Sequence, residues 1–366
     1  MKICILTQPL GANYGGILQA YALQMVLRDM GHDVTTLRFH PSTPWVPTGI
    51  RKYALTLRRF VSKYLKGNKN IVCCNPDKQT KFAYRELDRF IDEHMQCRGA
   101  HAPLSHQLAS DYDAFIVGSD QVWRPAYSPC LPNFYLDFLG GTSTKRIAYA
   151  ASFGVDNWET DESTTIQIRQ LAQLFDAISV RESSAVGLCQ TYLGVKAALM
   201  PDPTILLQAT DYYDLCGAQL TPEDDYIAVY MLDIGEREQL LVDQISAQTG
   251  LPIKTIGRLD WTRSTDSVES WLSGIAGARF VVTNSFHGTV FSLLFEKDFL
   301  SIKNSQRGAS RFSSLLNSVG LLDRLLDISA SIVDVSLLPE INYQVVKDKL
   351  NSMRQQGRSF LQDNLQ

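Results

Sequence analysis

The stretch Arg279 to Glu296, RFVVTNSFHGTVFSLLFE, constrains this chain more than any other. Arg279 to Thr283 is a short apolar, β-branched run, the composition of a strand buried in a parallel sheet. Thr289 to Glu296 is an apolar helical run able to pack behind that strand. Between them lies Asn284-Ser285-Phe286-His287-Gly288, read as a strand-to-helix turn. Such a turn leaves the first helical amides unpaired and sets the positive end of the dipole at the carboxyl edge of the sheet, a place for an anion. Ser285 and Thr289 add hydroxyl donors, Gly288 lets a ligand approach the backbone, and His287 moves a proton near neutral pH. The competing account has Ser285 merely capping the helix and His287 serving as a hydrogen-bonded structural histidine. The combination of groups favours a functional site.

A chain of 366 residues is long for one core, and at about 150 residues per domain two domains are expected. A formal charge of -3 gives no global basic excess, which argues against a general nucleic-acid binder. Any anionic ligand must be met locally. The seven cysteines are scattered and lack a metal-binding spacing, so free cytosolic thiols and no metal are the expectation. Lys2 to Leu6 is too short for a signal peptide, and no apolar segment reaches the roughly 20 residues that span a bilayer. A soluble cytoplasmic protein is expected.

The chain opens as a βαβ unit, with a strand over 3–6, a helix over 17–30 and a strand over 33–39. The first strand leads into Gln8 to Gly16, a loop at the sheet edge where doubly wound folds place ligands. Gly11, Gly15 and Gly16 suit a backbone that approaches a ligand, and Asn13 offers donor and acceptor together. The spacing is not that of a dinucleotide fingerprint, and a plain strand-to-helix turn explains the glycines equally well. From Arg51 to Lys66 there are six cations and no acid, over an apolar stripe at helical spacing. That pattern fits either a helix lying on an anionic membrane or one packed on its own domain with solvated charges.

A mixed-charge helix is expected over 78–94, and a buried strand over 113–117. Gly118-Ser119-Asp120-Gln121-Val122-Trp123 follows that strand. Asp120 suits a general base and Trp123 a sugar-stacking ring; the structural alternative is a turn cap and a domain plug. Strands over 147–153 and 177–180 come next, the second ending at Arg181, where an arginine clamps a carboxylate or phosphate or simply pairs with a neighbouring acid. Met200 to Thr204 is an irregular loop in which two prolines fix the direction of Asp202. After a connection at 208–223, a second α/β unit brings strands over 226–232, 253–256, 279–283 and 299–302. Its helices span 236–248, 267–276 and 310–319, the last carrying Arg311, and a final helix runs over 345–361. The fold class is therefore α/β, two Rossmann-like domains facing across a cleft in a GT-B-like glycosyltransferase architecture. The first domain occupies residues 1–210 and the second 222–340, with a C-terminal helix in 341–366 crossing back.

Five segments together resemble the polysaccharide pyruvyl transferase family: Asn13 to Leu23 (NYGGILQAYAL), Gly118 to Trp123 (GSDQVW), Ser179 to Glu182 (SVRE), Pro201 to Thr204 (PDPT) and Ser285 to Gly288 (SFHG). Each alone is weak, but five in register from Thr7 to about Arg311 are specific. The resemblance implies transfer of a pyruvyl group from phosphoenolpyruvate onto two hydroxyls of one sugar, giving a cyclic ketal on a bacterial surface glycan or its lipid-linked precursor. It points to His287 and Arg181 as donor-site residues and needs no cofactor.

On this expectation His287 is a general acid, Arg181 holds the donor carboxylate, and Asp120 accepts a proton from the acceptor. Ser285, Gly288 and Arg311 then hold the phosphate, with Thr289 a further hydroxyl donor at the same anion site. Asn13, Gly15, Gly16, Gln121, Trp123 and Asp202 complete the candidate substrate contacts. The basic stretch 51–66 would bring the enzyme to a membrane-borne acceptor. A sugar-nucleotide glycosyltransferase, with the same fold and anion site but a nucleotide product, is the alternative.

Overall fold

The computed structural model describes residues 1–11, 13–39, 82–101, 103–128, 130–217, 224–257, 264–303, 308, 310–328 and 334–366. The basic stretch 51–66 lies outside the described residues, as do Cys73 and Cys74. The five described cysteines carry free thiols.

The first half of the chain builds one parallel sheet from β1 (Lys2–Leu6), β2 (Asp33–Phe39), β3 (Cys97–Ala100), β4 (Ala114–Val117), β5 (Lys145–Ala151), β6 (Ala177–Val180) and β7 (Ala198–Leu199). Their order across the sheet is β3-β2-β1-β4-β5-β6-β7. The chain therefore reverses direction across the sheet between β1 and β4, which pair directly with Leu6 opposite Val117. The crevice outside such a switch point is where open α/β sheets bind ligands.

The second half builds another parallel sheet from β8 (Asp224–Tyr230), β9 (Ile253–Thr255), β10 (Ala278–Thr283), β11 (Asp298–Ile302) and β12 (Leu325–Leu326), in the order β12-β11-β10-β8-β9. Here the reversal falls between β8 and β10, where Thr283 stands opposite Tyr230. Strands β1, β4 and β10 have nearly every residue buried, as their apolar runs require.

Helix α1 (Tyr14–Asp29) follows β1, and α2 (Arg85–His94) precedes β3. Helices α3 (Glu162–Ala172), α4 (Ser183–Leu188) and α5 (Ala209–Cys216) follow in the first half. The second half contributes α6 (Glu236–Thr249), α7 (Val268–Ala276), α8 (Phe286–Leu294), α9 (Ser310–Val319) and α10 (Tyr343–Asn364).

The two halves share apolar core. One continuous cluster includes Ile3, Leu18 and Leu23 of the first half with Trp271, Val281 and Phe291 of the second. Tyr14, the first residue of α1, stacks on Trp271 at 5.2 Å with an interplanar angle of 8°. Its hydroxyl donates to the Asp266 carbonyl at 2.7 Å. At the surface, Arg89 of α2 grips both carboxylate oxygens of Glu269 on α7, at 2.9 and 3.0 Å. Helix α10 returns to the first half, where Gly357 comes so close to Tyr149 that a methyl group there would meet its hydroxyl at 2.4 Å. Arg354 of the same helix donates to the Leu207 carbonyl.

Candidate active site

Three loops at the carboxyl edges of the sheets converge: one after β1, one after β4 and one after β10. The last departs from the sequence expectation. Its helix begins at Phe286, not Thr289, so His287 stands in the first helical turn and not in a loop before it. The reason is local capping. Ser285 adopts extended backbone angles and its hydroxyl accepts from the Gly288 amide at 3.4 Å, satisfying one otherwise orphaned donor. Thr283 Oγ1 accepts from the Ser285 amide and donates to the Tyr230 carbonyl, tying the turn to the neighbouring strand. Asn284 bridges to the loop after β8 by donating to the Asp233 carbonyl and accepting from the Leu232 amide.

Two residues of this turn also serve the scaffold. A methyl group at Gly288 would lie 2.3 Å from Thr283 Oγ1, so the missing side chain lets the helix close on the strand. Thr289 is fully buried, its hydroxyl shared between the Ser285 carbonyl and Ser301 Oγ.

His287 reaches across to the first domain. Its side chain is 6% exposed, and Nε2 lies 3.5 Å from Asp202 Oδ2, an ion-pair distance without an aligned hydrogen bond. The ring fills the space a side chain would take at Gly15, where an added methyl group would stand 1.9 Å from Nδ1. Gly15 belongs to the amino-terminal turn of α1, which Asn13 caps by accepting the Gly15 amide at 3.1 Å. Two helix amino termini thus meet at His287. Gly16 faces Asp120, whose Oδ2 would lie 3.5 Å from a methyl group there.

Asp202 is the hub of the site. It is wholly buried, with Oδ2 taking the Arg181 Nη1 donor at 2.6 Å and Oδ1 taking the amide and hydroxyl of Thr204 at 3.0 and 2.7 Å. Burial alone would raise its pKa. The His287 and Arg181 charges and the Thr204 hydroxyl more than offset that, holding the carboxyl far below the usual range. Arg181 is itself 1% exposed and has its second nitrogen 3.5 Å from Asp120 Oδ1. Its guanidinium lies over the Phe286 ring at 4.7 Å, and that of Arg311 over the same ring at 5.7 Å. Burial, reinforced by the neighbouring Arg181 charge, pushes Arg311 down to about 10. A third donor, Arg181 Nε, is buried without an acceptor among the described residues.

Asp120 occupies the left-handed region with φ of 68°, sparsely populated for a residue with a side chain. Gln19 secures this loop: its Oε1 accepts the Ser119 amide while its Nε2 donates to Thr7 and to the Gly16 carbonyl. Gln121 braces Arg124 and packs against Gly154. Trp123 corrects the stacking expectation. It is 1% exposed, lies parallel to Tyr135 at 5.1 Å and donates its indole N–H to the Phe134 carbonyl.

Sequence reasoning passed over Gln19 and Tyr14 as individual functional residues, though both lie within the Asn13 to Leu23 segment. Glu182 enters that reasoning only as the end of the SVRE segment. Glu182 Oε1 accepts from the Ser152 hydroxyl and the Phe153 and Gly154 amides, shaping the edge beside Arg181.

The fold and this site define a class. A UDP-GlcNAc 2-epimerase from Neisseria meningitidis, bound to UDP-GlcNAc, aligns with a TM-score of 0.51 at 7% identity, over 100% of this chain and 99% of that one. MurG from Acinetobacter baumannii aligns with a TM-score of 0.42 at 12% identity, over 99% and 98%. A glycosyltransferase from Rickettsia africae ESF-5 gives 0.45 at 11%, over 100% and 99%. No curated protein matches the chain. With its two parallel sheets, the molecule is an α/β protein of two Rossmann-like domains in the GT-B-like arrangement. The polysaccharide pyruvyl transferase family model matches residues 13–306, from the Asn13 cap past the SFHG turn. The chain belongs to that family, and it is an enzyme. No helix among the described residues is long and apolar enough to cross a membrane.

Proposed function

We propose that the enzyme transfers a pyruvyl group from phosphoenolpyruvate to two hydroxyls of one sugar in a bacterial surface glycan or its lipid-linked precursor, forming a cyclic ketal and releasing phosphate. The observation that carries this reading is the seating of His287 in the Gly15 notch, between two helix amino termini, with buried Arg181 and Arg311 against the adjacent Phe286 ring. Helix amino termini and guanidinium groups suit a donor bearing both a phosphate and a carboxylate. Two neighbouring guanidiniums held out of water favour an anion between them.

In the proposed reaction His287 delivers a proton to the methylene carbon, converting it to a methyl group and leaving a cation-like centre at C2. A sugar hydroxyl adds there and passes its proton to Asp120. Phosphate then departs with its bonding electron pair, and the second hydroxyl closes the ring, its proton returning to the His287 that gave one up at the start. Arg181 offers Nε and, once Asp120 turns to the acceptor, Nη2 to the donor carboxylate. Arg311 and the α8 amino terminus capped by Ser285 hold the phosphate. Asp202 holds Arg181 and His287 in register. These steps call on no cofactor. The basic stretch 51–66 is assigned to contact with a membrane bearing the acceptor.

Isothermal titration with phosphoenolpyruvate and with nucleotide sugars tests the donor assignment. Binding of phosphoenolpyruvate, weakened by Arg311→Met, is expected. Heat from a nucleotide sugar and none from phosphoenolpyruvate overturns the assignment.

A further inference from the structure

With Trp123 in the core, the loop after β4 still carries a second aromatic ring. Tyr127 is 39% exposed, and the Arg124 guanidinium lies 4.7 Å from its ring centroid. That guanidinium is itself fixed: Nε and Nη2 meet the Glu159 carboxylate at 3.1 and 3.4 Å, and Nη1 donates to Gln121 Oε1 at 3.2 Å. The backbone beneath the ring is pinned as well. The Tyr127 and Ser128 amides both donate to the Arg124 carbonyl, and the Ser128 hydroxyl donates to the Val122 carbonyl at 2.6 Å. Gln8, from the loop after β1, donates to both the Gln121 carbonyl and the Ser128 hydroxyl.

A lone exposed tyrosine is ordinary. This one differs because its ring is backed by an arginine whose other donors are already engaged, and because its loop begins at the switch point and carries Asp120. A rigid amphipathic ring contributes contact area at little cost in conformational freedom, and its face suits the C–H face of a pyranose.

We infer that Tyr127 is the stacking platform for the acceptor sugar ring, the role its buried neighbour Trp123 does not fill. This rests on the reading above only in taking the acceptor to be a sugar. It makes Tyr127 a binding and specificity residue, without a part in proton transfer.

The test uses saturation-transfer NMR with methyl β-D-galactopyranoside, methyl β-D-glucopyranoside and methyl α-D-mannopyranoside. The same protein preparations are titrated with phosphoenolpyruvate. Wild type is expected to bind at least one glycoside, and Tyr127→Ala to weaken that binding about tenfold. Tyr127→Phe should stay within about twofold of wild type, since the ring face and not the hydroxyl makes the contact. Phosphoenolpyruvate affinity should be the same in all three proteins. Unchanged glycoside affinity in Tyr127→Ala overturns the inference, as does failure of wild type to bind any of the three. Loss in Tyr127→Phe equal to that in Tyr127→Ala also overturns it, in favour of a hydroxyl contact. Absence of phosphoenolpyruvate binding by wild type counts against the donor assignment alone and leaves the glycoside result standing.

Discussion

The amino termini of α1 and α8 are built from similar parts and used in opposite ways. Each begins with a polar cap, Asn13 or Ser285, and has glycine in its first turn. In α1 the missing side chain at Gly15 is a socket that receives the His287 ring from the other domain. In α8 the missing side chain at Gly288 lets the helix close on its own strand at Thr283, while the neighbouring residue projects outward. One terminus receives and the other presents. A glycine beside a helix cap therefore does not by itself announce a ligand; what occupies the space decides.

The presenting side should show the largest effect when broken. His287→Ala is expected to lower turnover by about 10²–10⁴-fold, the range for a lost general acid, with the fold retained. Steady-state phosphate release measures this. Near-normal activity removes His287 from the chemistry and reduces it to a wedge between domains.

Asp202 serves both termini, and its removal should register in stability. Asp202→Asn leaves the buried Arg181 charge without its closest partner, a loss of about 3–5 kcal/mol in denaturant unfolding. The sign of the pH dependence follows from the depressed folded-state pKa. The contribution is fully present above the unfolded-state value near 3.9 and is lost as pH falls toward the folded-state value. The stability gap between wild type and Asp202→Asn should thus be flat from about pH 8 to 5 and narrow only below about pH 4.

The two glycines test the comparison directly. Gly15→Ala drives a methyl group into the His287 ring and should cost about 10²-fold in turnover through displacement of that ring. Gly288→Ala overpacks the helix against Thr283 and should cost about 1–3 kcal/mol of stability. Its turnover per folded molecule should stay within a few-fold of wild type. Exchange of those two phenotypes would invert the assignment of socket and scaffold.

Much of this arrangement is legible in the sequence because it depends on short-range pattern. The β-branched runs at 3–6, 114–117 and 279–283 mark strands buried in parallel sheets, and loops placed after them must reach a carboxyl edge. Strand β3 escaped because Cys97-Arg98-Gly99-Ala100 has neither alternation nor β-branching and exists by pairing beside β2. Helix α3 has no periodic apolar stripe to announce it, since its sequence is mostly polar and buries only Ile168 and Ala172. Helix α8 starts ahead of its apolar run because the Ser285 cap draws Phe286 and His287, which look like loop residues, into the first turn. Contacts between residues far apart in sequence, such as Tyr14 on Trp271 or His287 on Gly15, have no local signature. The missing Cβ at Gly15 matters only because a residue 272 positions later (287 − 15) fills its place.

The smallest expected effect separates the two aromatics of the loop after β4. Trp123 sits between Tyr135, Phe153 and Phe175 and donates to a backbone carbonyl, so its surroundings are those of a core residue. Trp123→Phe retains most of the apolar volume but leaves the Phe134 carbonyl without that donor, a loss of about 1 kcal/mol. Because the ring reaches no cleft surface, glycoside affinity and phosphoenolpyruvate affinity should both remain at wild-type values. Tyr127→Ala should do the reverse, leaving the melting temperature alone and weakening the glycoside. The pair divides a single loop into a buried face that holds its shape and an exposed face that meets the sugar. A weakened glycoside in Trp123→Phe without a change in melting temperature would erase that division and return the stacking role to the tryptophan.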